Sequence, residues 1–256
     1  MAGMAPLIVL VHSPNLGPST WQPVASVLAA AGHEVVAPSL AGFAAGGPPY
    51  VPRLVGLIAG QAGAGARDDV VLVPHSGAGV FVPHLAAALA PGRVTAVFAD
   101  ASLPGQAAPG TVVEAEFLPF LRGLARDGTV PPWPRWWPDE DFSSLFGDEA
   151  TRQVVTGEAA ALPLAYFEEA LPVLPGGWPP CHAAYLAFSE PYRREAGAAT
   201  HAGWPVRELP GEHLHMLIRP AEVAAAITSL AAQPAPEPPR CVLFPSPRPP
   251  GQRARR

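Results

Sequence analysis

The segment Val70–Leu89, VVLVPHSGAGVFVPHLAAAL, constrains the fold more than any other stretch of the chain. It opens on an unbroken apolar, β-branched run. A strand of that kind must be covered on both faces, as in a parallel sheet with helices on either side. A turn of small residues, Ser76-Gly77-Ala78-Gly79, follows, and then a helix. The same alternation runs through the rest of the chain. Strands are expected at Leu7–His12, over HEVVAPSL up to Pro38, at Asp69–His75, Arg93–Asp100, His182–Ser189 and Trp204–Pro210. Helices are expected at Trp21–Ala31, Tyr50–Ala66, Gly79–Ala90 and Ala221–Ala232. The fold class is therefore α/β, a parallel sheet flanked by helices.

The alternation breaks between Asp100 and His182. That stretch holds four of the six tryptophans, several phenylalanines and amphipathic helical pieces. An insertion of this length between two sheet strands points to a functional cap rather than an idle loop. The expected divisions are core residues 1–103, a cap over 104–180, a second part of the core over 181–232, and a tail over 233–256. The tail carries eight prolines and five arginines from residue 234 onward, which precludes a helix and favours extended geometry. Its two readings are a flexible appendage and a Pro/Arg docking segment.

Composition narrows the function classes. The 256 residues are 49% hydrophobic and 14% charged, with net charge −5, so the chain is globular and not a nucleic-acid surface. No apolar run is long enough for a membrane span, and the N-terminus lacks the basic and apolar regions of a signal peptide, pointing to a cytoplasmic protein. Two cysteines make neither a disulfide framework nor a metal motif. No Gly-rich phosphate loop or ligand-spaced cluster is present, so no cofactor and no metal are expected. There is no lysine anywhere, which excludes a Schiff base.

Two motifs carry chemistry. Small residues at a strand-to-helix turn allow a sharp, strained bend that holds a hydroxyl above the sheet, and His75-Ser76-Gly77-Ala78-Gly79 has that form. The backbone N–H of Gly77, at the helix start, then faces developing negative charge. Pro74 stands where the usual G-x-S-x-G pattern has its first glycine, and an ordinary Gly/Ser turn is the competing reading. Near the C-terminus, ELPGEHLHMLIRP places His213 and His215 in the loop after the last strand. A serine hydroxyl needs an adjacent base, and histidine suits that task.

The order of these features resembles the α/β-hydrolase superfamily over about residues 5–232. The features are a strand, an H-S-P-N loop, a helix with Trp21 nine positions after His12, GHEVVAPSLAG, the serine elbow, a cap, and G-x-H-x-x-M-L-x-x-P. The resemblance is to the small branch of methylesterases and hydroxynitrile lyases. It implies Ser76 as nucleophile and His213 as base, with His215 the alternative base. For the acid it leaves two positions: Glu190 after the penultimate strand, or Asp100 at the end of the strand following the elbow helix, with Asp100 favoured. It implies an oxyanion site built from Gly77 and the loop after the first strand. There the second donor falls on Pro14, which has no N–H, leaving Asn15 to substitute. Losing one such donor typically costs ~100–1000-fold in rate.

Trp133, Trp136 and Trp137 either roof an apolar substrate pocket or pack the cap onto the body. Arg135 among them is placed to pair with a substrate carboxylate or to stack on an indole. His75 reads as pocket lining, and His12 as a pocket residue that orients its loop. The expected function is a serine hydrolase acting on a hydrophobic small-molecule ester, thioester or lactone, with a homodimer compatible with the sequence. One alternative is a lyase, dehydratase or cyclase on the same fold. The other is a ligand-binding protein without turnover.

Overall fold

The computed structural model describes residues 5–63, 69–89, 92–105, 110–137, 142–174 and 181–233. The expected tail from Pro234, the helix end at Ala64–Ala66, and Ala90 and Trp178 lie outside the described residues. The strands are β1 (Leu7–Val11), β2 (Val35–Val36), β3 (Asp69–Ser76), β4 (Arg93–Ala101), β5 (Thr129–Val130), β6 (Leu162–Pro163), β7 (Cys181–Ala187) and β8 (Val206–Glu208). Six of them form one sheet in the order β2-β1-β3-β4-β7-β8, with every pair parallel. The remaining two, β5 and β6, pair antiparallel in the insertion between β4 and β7.

Strand parity sorts the core into two faces, because successive side chains point to opposite sides of a sheet. On one face Leu7, Val9, Val11, Val70 and Leu72 pack against α2 (Tyr50–Ala62) and α3 (Val82–Leu89) through Leu54, Ile58 and Leu85. On the other, Ile8, Leu10, Val71, Val73, Val97 and Leu186 meet α1 (Gln22–Ala30) and the C-terminal helix (Pro220–Ala231) through Val24, Leu28, Val223 and Ile227. Each such fully buried aliphatic side chain contributes about 1.5–3 kcal/mol relative to exposure. The expected doubly covered parallel sheet is what the chain forms. Strand β2 is two residues long, shorter than HEVVAPSL suggests, because Pro38 soon ends it and β2 is an edge strand.

Register sets where the loops meet. Val11 is level with Pro74, and Ser76 with Ala101, after a shift in the β3–β4 pairing between His75 and Ser76. The chain leaves β1 toward β2 on one side and β3 on the other. The loops after β1, β3, β4 and β7 therefore converge at the C-terminal ends of the strands, where open α/β sheets collect their ligands. The insertion contributes α4 (Leu118–Leu124), α5 (Glu149–Glu158) and α6 (Leu164–Phe167). Asp148 caps α5 by accepting from the Thr151 N–H at 2.8 Å. At the other end of α5, the Glu158 carboxylate accepts from Ser19 N–H at 3.0 Å and Ser19 Oγ at 2.6 Å, tying the insertion to the loop after β1. No helix among the described residues is long and apolar enough to cross a membrane.

Candidate functional site

Ser76 ends β3 with φ 56° and ψ −133°, a left-handed backbone that a residue with a side chain adopts only under strain. The pairing shift at His75/Ser76 creates this bend, and Gly79 permits it. A Cβ on Gly79 would lie 1.9 Å from the Ser102 carbonyl oxygen, so the turn can press against the end of β4 only with glycine there. The ladder continues past the bend, with Ser102 N–H donating to Ser76 O at 3.1 Å. Beside Gly77 a Cβ would meet nothing within 4 Å, so the space next to the turn is open.

Asp100 also has positive φ, 44°, and is fully buried. Its Oδ1 accepts the N–H groups of Phe188 and Ser189 at 2.9 and 3.0 Å. Its Oδ2 accepts the Ser189 hydroxyl and Nδ1–H of His213, the latter at 2.8 Å. A buried carboxylate with this many donors is fixed in direction. Behind it, the Tyr185 hydroxyl bridges the N–H and carbonyl of Ala101, both at 3.0 Å, bracing the end of β4. Of the two carboxylates weighed from the sequence, only Asp100 reaches a histidine. The Glu190 side chain is 77% exposed and 3.9 Å from Arg193, turned to solvent.

His213 sits between the rings of His75 and Tyr192. Its Nδ1 faces Asp100, its carbonyl accepts from His75 Nε2–H at 3.0 Å, and its ring lies 4.4 Å from that of His75. Tyr192 stacks on it almost parallel, at 4.8 Å and 4°. The Tyr192 hydroxyl is hydrogen-bonded to Ser76 Oγ at 3.0 Å. Among the described residues, the hydrogen bond of Ser76 thus goes to Tyr192 rather than to His213. Burial raises the phenol's pKa, so Tyr192 keeps its proton at neutral pH. His215, the alternative base, is buried and packs against Phe188, with its Nδ1 beside Gly211; burial lowers its pKa.

Two residues expected to line the pocket are closed off from solvent and bonded to backbone. His75 is fully buried on the α1 face with its ring edge-on to Trp21, and burial pushes its pKa well below 6.5. It braces the His213 backbone instead. His12 is likewise buried, and burial lowers its pKa to about 4. Its Nδ1–H donates to Ser13 O at 2.8 Å while Nε2 accepts from Leu40 N–H at 3.3 Å, so it fixes the loop after β1. In that loop Pro14 has no N–H, the Asn15 N–H turns toward Ser13 Oγ at 3.4 Å, and Leu16 N–H donates to Ser13 O at 2.9 Å.

The tryptophans divide. Trp136 is buried in the core, with Nε1–H donating to Pro131 O at 2.8 Å and its ring against Phe117 and Phe167. Trp133 and Trp137 are half-buried around Phe142, and Arg135 is exposed. Trp136 at least is packing, not lid. Tyr192, Ser189 and Tyr185 were not singled out from the sequence. Tyr185 alone left a signal, a phenol inside an otherwise apolar strand. Among the described residues no group of three or more His, Cys, Asp or Glu is placed to hold a metal ion.

Comparison with known proteins agrees with this architecture. The chain superposes on an extracellular α/β-hydrolase from a Paenibacillus species, described as sharing structural and functional homology with tobacco salicylic acid binding protein 2. That match has TM-score 0.65 and 20% identity, covering 89% of this chain and all of the other. Polyneuridine aldehyde esterase gives 0.63 at 19% identity, covering 89% and 99%. Tomato methylketone synthase I, solved with 2-tridecanone, gives 0.66 at 17%, covering 89% and 98%. No curated protein sequence matches significantly. The sequence model of the alpha/beta hydrolase family matches residues 8–226, most of the chain and every strand of the sheet except the first residue of β1, and the protein belongs to that family.

Proposed function

We propose that the protein is a serine hydrolase of small hydrophobic esters, thioesters or lactones. The observation that carries this reading is the strained Ser76 beside His213 and its buried partner Asp100, at the C-terminal ends of the strands. Asp100 keeps the proton of His213 on Nδ1, leaving Nε2 free to act as a base. Ser76 Oγ bonds to the substrate's carbonyl carbon as its proton passes to Nε2, and the carbonyl electrons move onto an oxygen facing the Gly77 N–H. Collapse breaks the bond to the leaving alcohol, which takes the proton from His213. Water then repeats the sequence and frees the acid. The bond from Ser76 to Tyr192 describes the resting site; catalytic hydrogen bonds often align only with substrate bound. Insertion residues such as Trp133 and Trp137 form the apolar side of the substrate site in this reading.

A second reading, non-hydrolytic chemistry on the same residues, is favoured by one observation: no N–H from Pro14 to Leu16 is free to face an oxyanion. Rates on p-nitrophenyl esters of increasing acyl length separate the two. Hydrolysis that disappears in Ser76→Ala supports the first reading. No hydrolysis of any ester by the folded wild type overturns it.

A further inference from the structure

The loop after β1 leaves the site one donor short. Pro14 has no N–H, and the next two N–H groups are turned inward to Ser13. Acyl-transfer sites stabilise the developing oxyanion with preorganised donors, and one donor alone forgoes ~100–1000-fold in rate. A different donor stands at the nucleophile. The Tyr192 hydroxyl is 3.0 Å from Ser76 Oγ, and its ring stacks parallel on that of His213. Tyr192 arises from the short 3-10 turn Glu190–Tyr192 after β7, which the sheet order brings over the end of β4.

We propose that Tyr192 is a catalytic hydrogen-bond donor: as Ser76 attacks a carbonyl, the phenol O–H transfers its bond from Ser76 Oγ to the substrate's oxygen. It thereby supplies the second donor that the Pro14 loop does not. No proton leaves Tyr192 in this step. The Oγ–C bond forms, the proton of Ser76 goes to His213, and the phenol only shares its hydrogen with the new oxyanion. Two features suit it to the part. The phenol remains protonated at neutral pH because its burial opposes the phenolate. Its bond to Ser76 Oγ, in which either hydroxyl can donate, weakens as Oγ acylates, so the phenol O–H is free to turn to the oxyanion when the charge appears. The inference rests on the serine-hydrolase reading above.

Tyr192→Phe tests it, since phenylalanine keeps the ring that stacks on His213. With p-nitrophenyl butyrate, kcat/KM falls ~100–1000-fold while the apparent pKa of its pH profile stays in place. Affinity for a trifluoromethyl ketone, which forms a tetrahedral adduct, falls in parallel, while a non-covalent competitive inhibitor binds as before. Activity within threefold of wild type overturns the proposal. So does a loss that comes with a displaced pH profile, which marks a misplaced His213. Ser76→Ala, measured alongside, separates the readings: activity surviving there sinks the hydrolase reading itself, whatever Tyr192 does.

Discussion

Replacing Asp100 by Asn reverses the polarity of one atom at the centre of the proposed site. The carboxylate takes four donors: two backbone N–H groups on Oδ1, and the Ser189 hydroxyl and His213 Nδ1–H on Oδ2. Asparagine can keep its oxygen toward Phe188 and Ser189, since two amides specify that orientation. Its NH2 then faces His213 Nδ1, and two donors cannot meet there. The imidazole answers by moving its proton to Nε2, where it can no longer accept one from Ser76. The loss expected is ~1,000–10,000-fold in kcat/KM, about 4–5.5 kcal/mol of transition-state stabilisation, mostly in kcat. Stability changes much less, because the Ser189 hydroxyl can rotate and accept from the new amide. The assay is initial-rate hydrolysis of p-nitrophenyl butyrate between pH 6 and 9, with Glu190→Gln as the control that retains full activity. Asp100→Asn within threefold of wild type, or an equal loss in Glu190→Gln, refutes the assignment.

Gly79→Ala drives a methyl group into the Ser102 carbonyl oxygen, a backbone atom that cannot swing aside. The end of β4 has to move, and a thermal melt should show a loss of ~1–3 kcal/mol, or roughly 2–10 °C; an unchanged melting temperature contradicts the tight turn. Acid sensitivity follows from His12 and His75. Both have native pKa values lowered by burial, His12 from 6.5 to about 4, so below pH 6.5 the unfolded chain binds protons that the native one refuses. Their contribution to stability is complete above pH 6.5 and is lost as the pH falls toward the native values. At pH 5 His12 alone removes about 2 kcal/mol. Denaturant midpoints at pH 7.5 and 5 test this, and equal midpoints contradict it.

Much of the architecture was legible because burial on both faces leaves an unmistakable mark. Leu7–Val11, Asp69–Ser76 and Arg93–Ala101 lie within a residue or so of the apolar runs that announced them. The turn at Ser76 was legible too, as small residues between an apolar strand and a helix, though an ordinary Gly/Ser turn carries the same pattern. The burial of His75 was also there to be read. It shares strand parity with Val71 and Val73, which face α1, so it had to point into the core.

Other features depend on sheet order, which no local pattern carries. Asp100 and Glu190 both follow apolar strands, and only the route of the chain after β7 turns one inward and the other to solvent. Tyr192 lies in a polar stretch, EPYRRE, with no periodicity to mark it. It reaches Ser76, 116 positions away, only because β7 pairs with β4 and β4 with β3. The proline at position 14 was visible from the start, but what its neighbours' N–H groups do required the turn itself.

The central claim is that Ser76 is an activated nucleophile. Incubation of the folded protein with a fluorophosphonate, followed by intact mass and peptide mapping, addresses it most directly. The account predicts a single adduct on Ser76, absent in Ser76→Ala and formed far more slowly in Asp100→Asn. No adduct on the folded wild type, or an adduct on another residue with Ser76 unmodified, contradicts it.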